Sequence, residues 1–201
     1  MTDLLLATTN RGKQRELGLL LADLPARVVT PQELGLDLEI AEPYDTYAEN
    51  AAAKADAYAR ASGLPTLADD SGLEVAALDW GPGVQTNRFG GPDVDDPVIH
   101  LLARIPDAED RRARMVCWLA LAVPGRSPGD VPTIELFSGV VEGSVTRERR
   151  GDGGFGFDPI FLLPSGETTA ELPEAEKDRI SHRGRAVAAA RPRLLELLDG
   201  P

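Results

Sequence analysis

The order of apolar and polar residues predicts two strands and two helices in the first third of the chain. Residues 3–7 are a short apolar run with polar residues on both sides, which is typical of a buried strand. Residues 14–24 carry leucines at helical spacing, and residues 27–30 form a second short strand. Residues 46–49 have the composition of a capping box, and the alanine-rich residues 50–61 that follow are predicted to be helical.

Two more apolar runs follow, with a short acidic sequence between them. Residues 65–68 predict a strand, and residues 73–78 lead the chain away from it. Asp69-Asp70-Ser71-Gly72 has the composition of a glycine turn. The remaining segments are predicted, in order, to be a loop at 80–91, a helix at 95–105, a strand at 111–123, one or two strands at 134–146, and a terminal helix interrupted or restarted near Pro192.

The adjacent carboxylates of Asp69 and Asp70 are the first candidates for chemistry. Side chains alternate between the two faces of a strand, so we expect these carboxylates to point in opposite directions. One can then face a cleft while the other braces the loop. Two carboxylates at a strand end can bind a divalent cation or orient an attacking water, but they are also typical of an ordinary Asx turn. The motif alone favours the turn.

Residues 8–13, Thr-Thr-Asn-Arg-Gly-Lys, join the first strand to the first helix. The start of a helix presents free backbone N–H groups and the positive end of the helix dipole, which together favour a phosphate. A capped helix with a solvated Lys13 fits the same residues equally well. The segment is not a Walker A loop, because it lacks the first glycine and the Ser or Thr after the lysine.

The composition narrows the classes of partner and compartment. The formal net charge of -12 opposes binding to a nucleic-acid backbone, whereas a small anionic substrate is compatible with a local cluster of cations. Cys117 is the only cysteine, so no internal disulfide can form and a reducing, cytoplasmic location is expected. The N-terminal sequence has the pattern of neither a signal peptide nor a membrane span, so no membrane partner is expected.

Lysine is rare in this chain, which uses arginine for most of its positive charge. Only three of the 21 basic residues are lysines, namely Lys13, Lys54 and Lys177. A compact ammonium is not interchangeable with a guanidinium, so a lysine in such a chain is a candidate for a functional position. For Lys54 in the middle of a helix, a solvated surface charge is the simpler interpretation.

The glycine-rich residues 151–156 match the spelling of a dinucleotide fingerprint, but their context excludes that function. They run into a strand-like segment at 158–162, whereas a dinucleotide fingerprint must open a helix. Such a loop can offer the rings of Phe155 and Phe157 for stacking on a base, and Asp158 for reading the edge of the base. A hydrophobic anchor for the loop is an equally good interpretation.

Five motifs in order resemble the Ham1/RdgB family of inosine triphosphate pyrophosphatases, and the similarity covers nearly the whole chain. The motifs are residues 8–13, 49–55, 68–73, 153–159, and 176–177 with 181–184. All three lysines lie inside these motifs. The resemblance therefore favours a functional role for Lys54 over a plain surface charge.

The resemblance implies an α/β fold with an elongated, mixed, twisted sheet flanked by helices, in two lobes around a central cleft. It also implies a single domain over residues 1–201 and a homodimer. The implied reaction is the hydrolysis of the non-canonical purine nucleoside triphosphates ITP, dITP and XTP to the monophosphate and pyrophosphate, with Mg²⁺ as cofactor. Such an enzyme removes these nucleotides from the pool.

The resemblance also implies roles for individual residues. Asp70 would bind Mg²⁺ and act as the base or orient the water, and Glu42, or otherwise Glu39, would help to hold the metal. The residues implied to bind the substrate are Thr8, Thr9, Asn10, Arg11, Gly12, Lys13, Lys54, Ser71, Phe155, Gly156, Phe157, Asp158, Lys177, His182 and Arg183. Those from Phe155 onward would form a base pocket whose donors face the C6 oxo group. Adenine would place an amino donor there, a mismatch of about 1 to 3 kcal/mol.

Two alternatives are compatible with parts of the sequence. A Maf-like nucleotide pyrophosphatase with another base preference would share the general architecture, although Lys177 and residues 181–183 argue against it. A non-catalytic nucleotide-binding protein would be expected to lack the metal-binding carboxylate, whereas Asp70 is present.

Overall fold

A computed structural model describes residues 2–125, 127 and 129–199. The chain divides into two compact units. The first consists of Met1–Asp70, Cys117–Gly139 and Arg183–Pro201, and the second of Ser71–Val116 and Val140–His182. The expectation of a single domain of two lobes over residues 1–201 stays a prediction, and residues 1, 126, 128, 200 and 201 of that range lie outside the described residues.

Seven strands of the described residues form one hydrogen-bonded sheet. They are β1 (Thr2–Leu6), β2 (Ala26–Val29), β3 (Thr66–Val75), β4 (Gly81–Pro82), β5 (Arg112–Val123), β6 (Thr133–Val145) and β7 (Phe161–Leu162). The strand order is β2-β1-β3-β5-β6-β7, and β4 pairs with β3. The sheet is mixed, because β1 runs parallel to β2 and β3 whereas β4 and β7 run antiparallel to their neighbours.

The described residues form five α-helices, of which Glu174–Ile180 is not predicted by the sequence and has no side-chain cap. They are α1 (Arg11–Leu20), α2 (Tyr47–Ser62), α3 (Pro97–Arg104), α4 (Glu174–Ile180) and α5 (His182–Asp199). The capping box of α2 is confirmed, since Thr46 accepts the N–H of Glu49 at 3.2 Å and donates to its carboxylate at 2.6 Å. α2 ends at Gly63, whose φ of 69° suits glycine. Among the described residues no helix has the length and apolar character that crossing a membrane requires.

In the first unit, the apolar residues of β1 and β3 are buried on both faces of the sheet. Leu4 and Leu6 of β1 belong to one core cluster, against helices α1 and α5, whereas Leu5 and Ala7 belong to another, against α2. This alternation is expected of a strand in a sheet that is covered on both faces. β3 follows the same pattern, with Leu67 in the first cluster and Ala68 in the second. The next two residues of β3 are Asp69 and Asp70, so each carboxylate follows an apolar residue onto one of the two faces.

The second unit has a core of its own. Leu73 and Val75 from the end of β3 pack in one cluster with Leu101 of α3. The segment around β7 adds Phe157 and Phe161 to the same cluster. The glycine-rich loop at 151–156 is therefore anchored by the buried residues that follow it.

Two predicted interruptions are wrong. β3 continues through Asp69-Asp70-Ser71-Gly72, where the sequence predicts a turn, because the segment is buried and belongs to a strand whose neighbours in the sheet are β1 and β5. α5 continues through Pro192, and Ala190 and Leu194 on either side of the proline are fully buried in the core. In both cases pairing or packing with distant parts of the chain outweighs the local preference.

Candidate active site

Asp70 is buried on the face of β3 that packs against α2. Its side chain is 2% exposed, and its Oδ2 accepts a hydrogen bond from Nδ2 of Asn50 at 3.2 Å. Burial raises the pKa of Asp70 to about 6, and the negative charge of Glu42 adds to this effect against the opposing charges of Lys13 and Lys54. Asp70 is thus a carboxylate whose protonation changes close to neutral pH.

Glu42 is brought to Lys54 by an extended segment without regular secondary structure. Leu36, Leu38 and Ile40 in this segment pack against the α2 side of the sheet, and Glu42 is the next residue in the same alternation. The carboxylate of Glu42 forms an ion pair with the Lys54 ammonium. Glu39 lies on the opposite side of the alternation and is exposed. Of the two acidic residues that the sequence offers, the structure places Glu42 beside the site.

Lys54 also bonds to the backbone of β3. Its Nζ donates to the carbonyl oxygen of Asp69 at 3.1 Å. Burial lowers the pKa of Lys54, but the surrounding charges, chiefly those of Asp69 and Glu42, outweigh burial and leave the pKa above its usual value. Lys54 is therefore a protonated, largely buried cation, and the interpretation as a solvated surface charge is wrong.

Asp69 holds a buried group of charges on the opposite face of β3. Its carboxylate lies 3.0 Å from the Lys13 ammonium and 3.5 Å from Nε of Arg183. Arg183 also pairs with Glu16 of α1 at 2.9 Å. Burial alone would raise the pKa of Asp69, but the charges of Lys13, Arg183 and Lys54 hold it well below its usual range. Asp69 stays ionised as the anion of this group.

The N-terminus of α1 is capped by the protein itself. The side chain of Asn10 accepts from the backbone N–H groups of Gly12 at 2.9 Å and Lys13 at 3.1 Å. Thr8 is buried, whereas Thr9, Asn10 and Arg11 are exposed. One of the two interpretations of the sequence has the N–H groups at the start of α1 free to bind a phosphate. In the structure, those of Gly12 and Lys13 donate to Asn10 instead.

In the second unit, Asp158 is a buried acceptor for three donors. Its carboxylate accepts from Nζ of Lys177 at 2.6 Å, the backbone N–H of Phe155 at 2.7 Å and the hydroxyl of Thr169 at 2.8 Å. Gly154 is close to this ion pair, because a Cβ at that position would lie 2.0 Å from Oδ2 of Asp158. The Asp158–Lys177 ion pair thus holds the glycine-rich loop through the backbone N–H of Phe155.

The two phenylalanines of the loop have different environments. Phe155 is half-buried, and the Lys177 ammonium lies 5.4 Å from the centre of its ring. Phe157 is 6% exposed and packs in the core of the second unit. Phe155 is therefore available to a planar ligand, whereas Phe157 is the hydrophobic anchor that the sequence left as an alternative.

His182 is brought close to the Asp158–Lys177 pair. These three residues, with Thr169 and Ser181, line a small cavity of about 10 Å³, which has room for about one water molecule. His182 is 6% exposed and begins α5. The structure thus gathers Phe155, Asp158, Lys177 and His182 in the second unit.

Comparison with known proteins gives the family. A model of the Ham1 family matches residues 4–193. The chain belongs to this family. It is 46% identical over 187 residues to the dITP/XTP pyrophosphatase of Syntrophobacter fumaroxidans, covering 92% of this chain and 78% of that protein. It is 45% identical to the dITP/XTP pyrophosphatase of Symbiobacterium thermophilum, covering 98% of this chain and 96% of that protein.

Solved Ham1 structures share the fold. A HAM1 protein from Coxiella burnetii matches with a TM-score of 0.84 and 40% identity, covering 96% of this chain and 98% of that chain. A nucleoside-triphosphatase / dITP/XTP pyrophosphatase from Mycobacterium abscessus matches with a TM-score of 0.72 and 37% identity, covering 95% of this chain and 100% of that chain. The predicted α/β fold with a mixed sheet is confirmed.

Three residues at the candidate site are not among those the sequence singled out. Asn50 bonds to Asp70, Glu16 pairs with Arg183, and Thr169 bonds to Asp158. Glu16 and Thr169 meet partners that are far away along the chain, so no local pattern marks them. Asn50 does carry a local signal, because it is a poor helix former in an alanine-rich helix.

Proposed function

We propose that this chain hydrolyses dITP, ITP and XTP to the nucleoside monophosphate and pyrophosphate. The observation that carries the proposal is the pair of carboxylates, Asp70 and Glu42, beside the ammonium of Lys54. The pair occurs in a Ham1 chain that is 45 to 46% identical to proteins named dITP/XTP pyrophosphatases. No observation favours a Maf-like enzyme or a non-catalytic binding protein.

Asp70 is the residue proposed to act on the attacking water. Hydrolysis at the α-phosphorus needs a water oriented for in-line attack and a group that accepts its proton. A carboxylate is better suited to this when its pKa is raised towards neutral pH, and in the metal-free protein burial gives Asp70 a pKa of about 6. Ser71, which follows Asp70 in β3 and is buried, is proposed to contribute a hydroxyl near the substrate.

Mg²⁺ fits the donor set that Asp70 and Glu42 provide. Mg²⁺ is usually bound by one or two carboxylates together with waters and substrate phosphates. In the part of the chain that the structure describes, no group of three or more His, Cys, Asp or Glu side chains forms a metal cage. A bound Mg²⁺ would neutralise negative charge on the phosphate oxygens. Two oxygen ligands beside a protonated lysine therefore suit a metal that arrives with the triphosphate.

The triphosphate is proposed to bind the cations near Asp70 and the start of α1. The positive charges of Lys13 and Lys54 both act to lower the pKa of Asp70. The residues at the start of α1, exposed Thr9 to Arg11 and half-buried Gly12, add polar groups and the positive end of the helix dipole. Thr8 would support this turn, since its hydroxyl accepts from the N–H of Asn10 at 3.3 Å.

The base is proposed to bind the glycine-rich loop and Lys177 of α4. Phe155 offers a ring for stacking, and Lys177 offers a donor to the C6 oxo group of hypoxanthine or xanthine. Asp158 holds the Lys177 ammonium at 2.6 Å, and His182 lies by the same cavity. Gly156 is exposed in the loop, and Phe157 contributes through the core packing described above. Adenine presents an amino donor at C6, so we expect discrimination of about ten- to a hundredfold.

Arg183 is also proposed to contribute to substrate binding. It is buried and pairs with Glu16 and Asp69.

A homodimer and a cytoplasmic location are also proposed, as for the family that the sequence resembles. Light scattering after size-exclusion chromatography tests the dimer. A mass of one chain at micromolar concentration would contradict it.

The activity is tested by pyrophosphate release from ITP, dITP, XTP, ATP, GTP and dTTP, with Mg²⁺ or with EDTA. We expect turnover of ITP, dITP and XTP only with Mg²⁺, at a kcat/KM at least about tenfold above that for ATP. The Asp70→Asn variant, purified in the same way, is the control for a contaminating enzyme that releases pyrophosphate from nucleoside triphosphates. Equal rates on ATP and ITP, or full turnover in EDTA, would contradict the proposal.

A further inference from the structure

Asn50 is a buried polar residue in the first turns of α2. Its side chain is 2% exposed. The capping box of α2 is complete without it, because Thr46 and Glu49 bond to each other. Asparagine is also a poorer helix former than the alanines that follow it. The role of Asn50 must therefore come from contacts outside the helix.

The carboxamide of Asn50 bonds to both backbone groups of Tyr44 and to Asp70. Its Oδ1 accepts from the N–H of Tyr44 at 3.1 Å, and its Nδ2 donates to the carbonyl of Tyr44 at 3.1 Å. The same Nδ2 donates to Oδ2 of Asp70 at 3.2 Å. A flipped carboxamide would place oxygen against oxygen at Tyr44 and at Asp70, so these partners fix its orientation.

Tyr44 lies two residues after Glu42 in a segment that forms neither helix nor strand. The position of the Glu42 carboxylate therefore depends on the side chains that hold this segment. Asn50 holds it through the Tyr44 peptide, and Lys54 holds it through Glu42 itself. Asn50 and Lys54 are four residues apart and thus share one face of α2.

The same two residues of α2 also hold the part of β3 that carries Asp70. Asn50 bonds to the Asp70 carboxylate, and Lys54 bonds to the carbonyl of Asp69. One face of α2 is therefore attached both to the segment with Glu42 and to the strand with Asp70. Asn50 and Lys54 both make these contacts, but they differ in the proposed function. Lys54 binds phosphate, whereas Asn50 is neutral and binds neither phosphate nor metal.

We propose that Asn50 is a positioning residue that sets the Glu42 and Asp70 carboxylates relative to each other and so determines the affinity of the pair for Mg²⁺. The inference rests on the metal site of the proposed function. Asn50 acts through Asp70 and the Tyr44 peptide, without touching the metal. Removing a group that hydrogen-bonds a metal-binding side chain typically weakens metal affinity about 10- to 100-fold.

The test is a calorimetric titration of the metal-free full chain with Mg²⁺ alone, comparing wild type with Asn50→Ala and Asn50→Leu. Leucine keeps a branched side chain and favours a helix, so it provides a folded variant if alanine does not. We expect both variants to bind Mg²⁺ about 10- to 100-fold more weakly. Their affinity for ITP in EDTA should stay at the wild-type value.

Thr46→Ala is the matched control, because it loosens the start of the same helix without touching Asp70 or Tyr44. It should bind Mg²⁺ as the wild type does. Wild-type Mg²⁺ affinity in a folded Asn50 variant, or an equal loss in Thr46→Ala, would overturn the inference. If wild type binds Mg²⁺ and Asp70→Asn does not, the proposed metal site stands. Either of those two contradicting results then overturns only the role of Asn50. A wild type that binds no Mg²⁺ would overturn the proposed metal site together with the inference.

Discussion

The ammonium of Lys13 lies 3.0 Å from the carboxylate of Asp69, and both side chains are almost completely buried, with 4% and 0% of their surfaces exposed. A buried anion between Lys13 and Arg183 keeps two cations in the interior of the first unit. Asp69 therefore supports the site from the face of β3 opposite to Asp70. We therefore expect loss of the Asp69 carboxylate to lower mainly the free energy of unfolding.

We predict that Asp69→Ala lowers the free energy of unfolding by about 3 to 5 kcal/mol, because it leaves buried cations without their anion. Urea denaturation at pH 7 measures the change. Asp3→Ala is the matched control, since it removes the exposed carboxylate that pairs with Arg27 and should leave the stability nearly unchanged. Similar losses in the two variants would contradict the supporting role of Asp69.

We predict that Asp70→Asn abolishes turnover and stabilises the metal-free protein at neutral pH. The pKa of Asp70 rises from 3.8 to about 6 on folding, so the unfolded chain ionises first as the pH rises. The wild type thereby loses up to about 3 kcal/mol between pH 4 and pH 7, and an amide at this position loses nothing.

The difference in unfolding free energy between Asp70→Asn and wild type, measured in EDTA, should accordingly grow between pH 4 and pH 7. A difference that is constant over this range would show that the pKa of Asp70 is not raised by the fold. Retention of turnover would remove Asp70 from the proposed chemistry.

We predict that alanine substitutions of the two phenylalanines affect different properties, substrate binding for Phe155 and stability for Phe157. Phe155→Ala should raise the KM for ITP about tenfold or more, because stacking of a base on an aromatic ring contributes about 1 to 3 kcal/mol. Phe157→Ala should instead lower the free energy of unfolding by about 3 to 5 kcal/mol, because its ring is buried in the core. A large loss of stability in Phe155→Ala with an unchanged KM would reverse this assignment.

We predict that Lys177→Met narrows the preference for ITP over ATP. Lys177 is proposed to supply the donor for the C6 oxo group, so its loss removes the mismatch that adenine meets. The ratio of kcat/KM for ITP to that for ATP should fall about tenfold. Arg179→Met, an exposed change in the same helix, is the control. Using a ratio removes the effect of any unfolded fraction, and an unchanged ratio would exclude Lys177 from base recognition.

The sequence predicts the elements more reliably than the contacts between them. The first strand, the capped α2, and the long β5 and β6 are marked by local patterns of apolar and capping residues. The motif at Asp69-Asp70 misleads, because local turn composition cannot show that the segment is buried within β3, a strand with β1 and β5 as its neighbours in the sheet. The alternation of side chains along a strand nevertheless predicts correctly that the two carboxylates have different neighbours.

The candidate site shows the same division. Lys13, Lys54 and Asp70 are recognisable from motifs, and the alternation that separates Glu42 from Glu39 is visible only once the extended segment is seen against α2. Arg183 meets Glu16 across 167 positions of sequence, and such a contact leaves no trace in local composition. Long-range packing decides these positions.

Hydrolysis of ITP in water enriched in ¹⁸O, followed by mass spectrometry of both products, tests the central claim most directly. Attack of water on the α-phosphorus places one ¹⁸O in IMP and leaves the pyrophosphate unlabelled. We predict this result for the wild type with Mg²⁺. Label in pyrophosphate, or the release of IDP and phosphate, would contradict it.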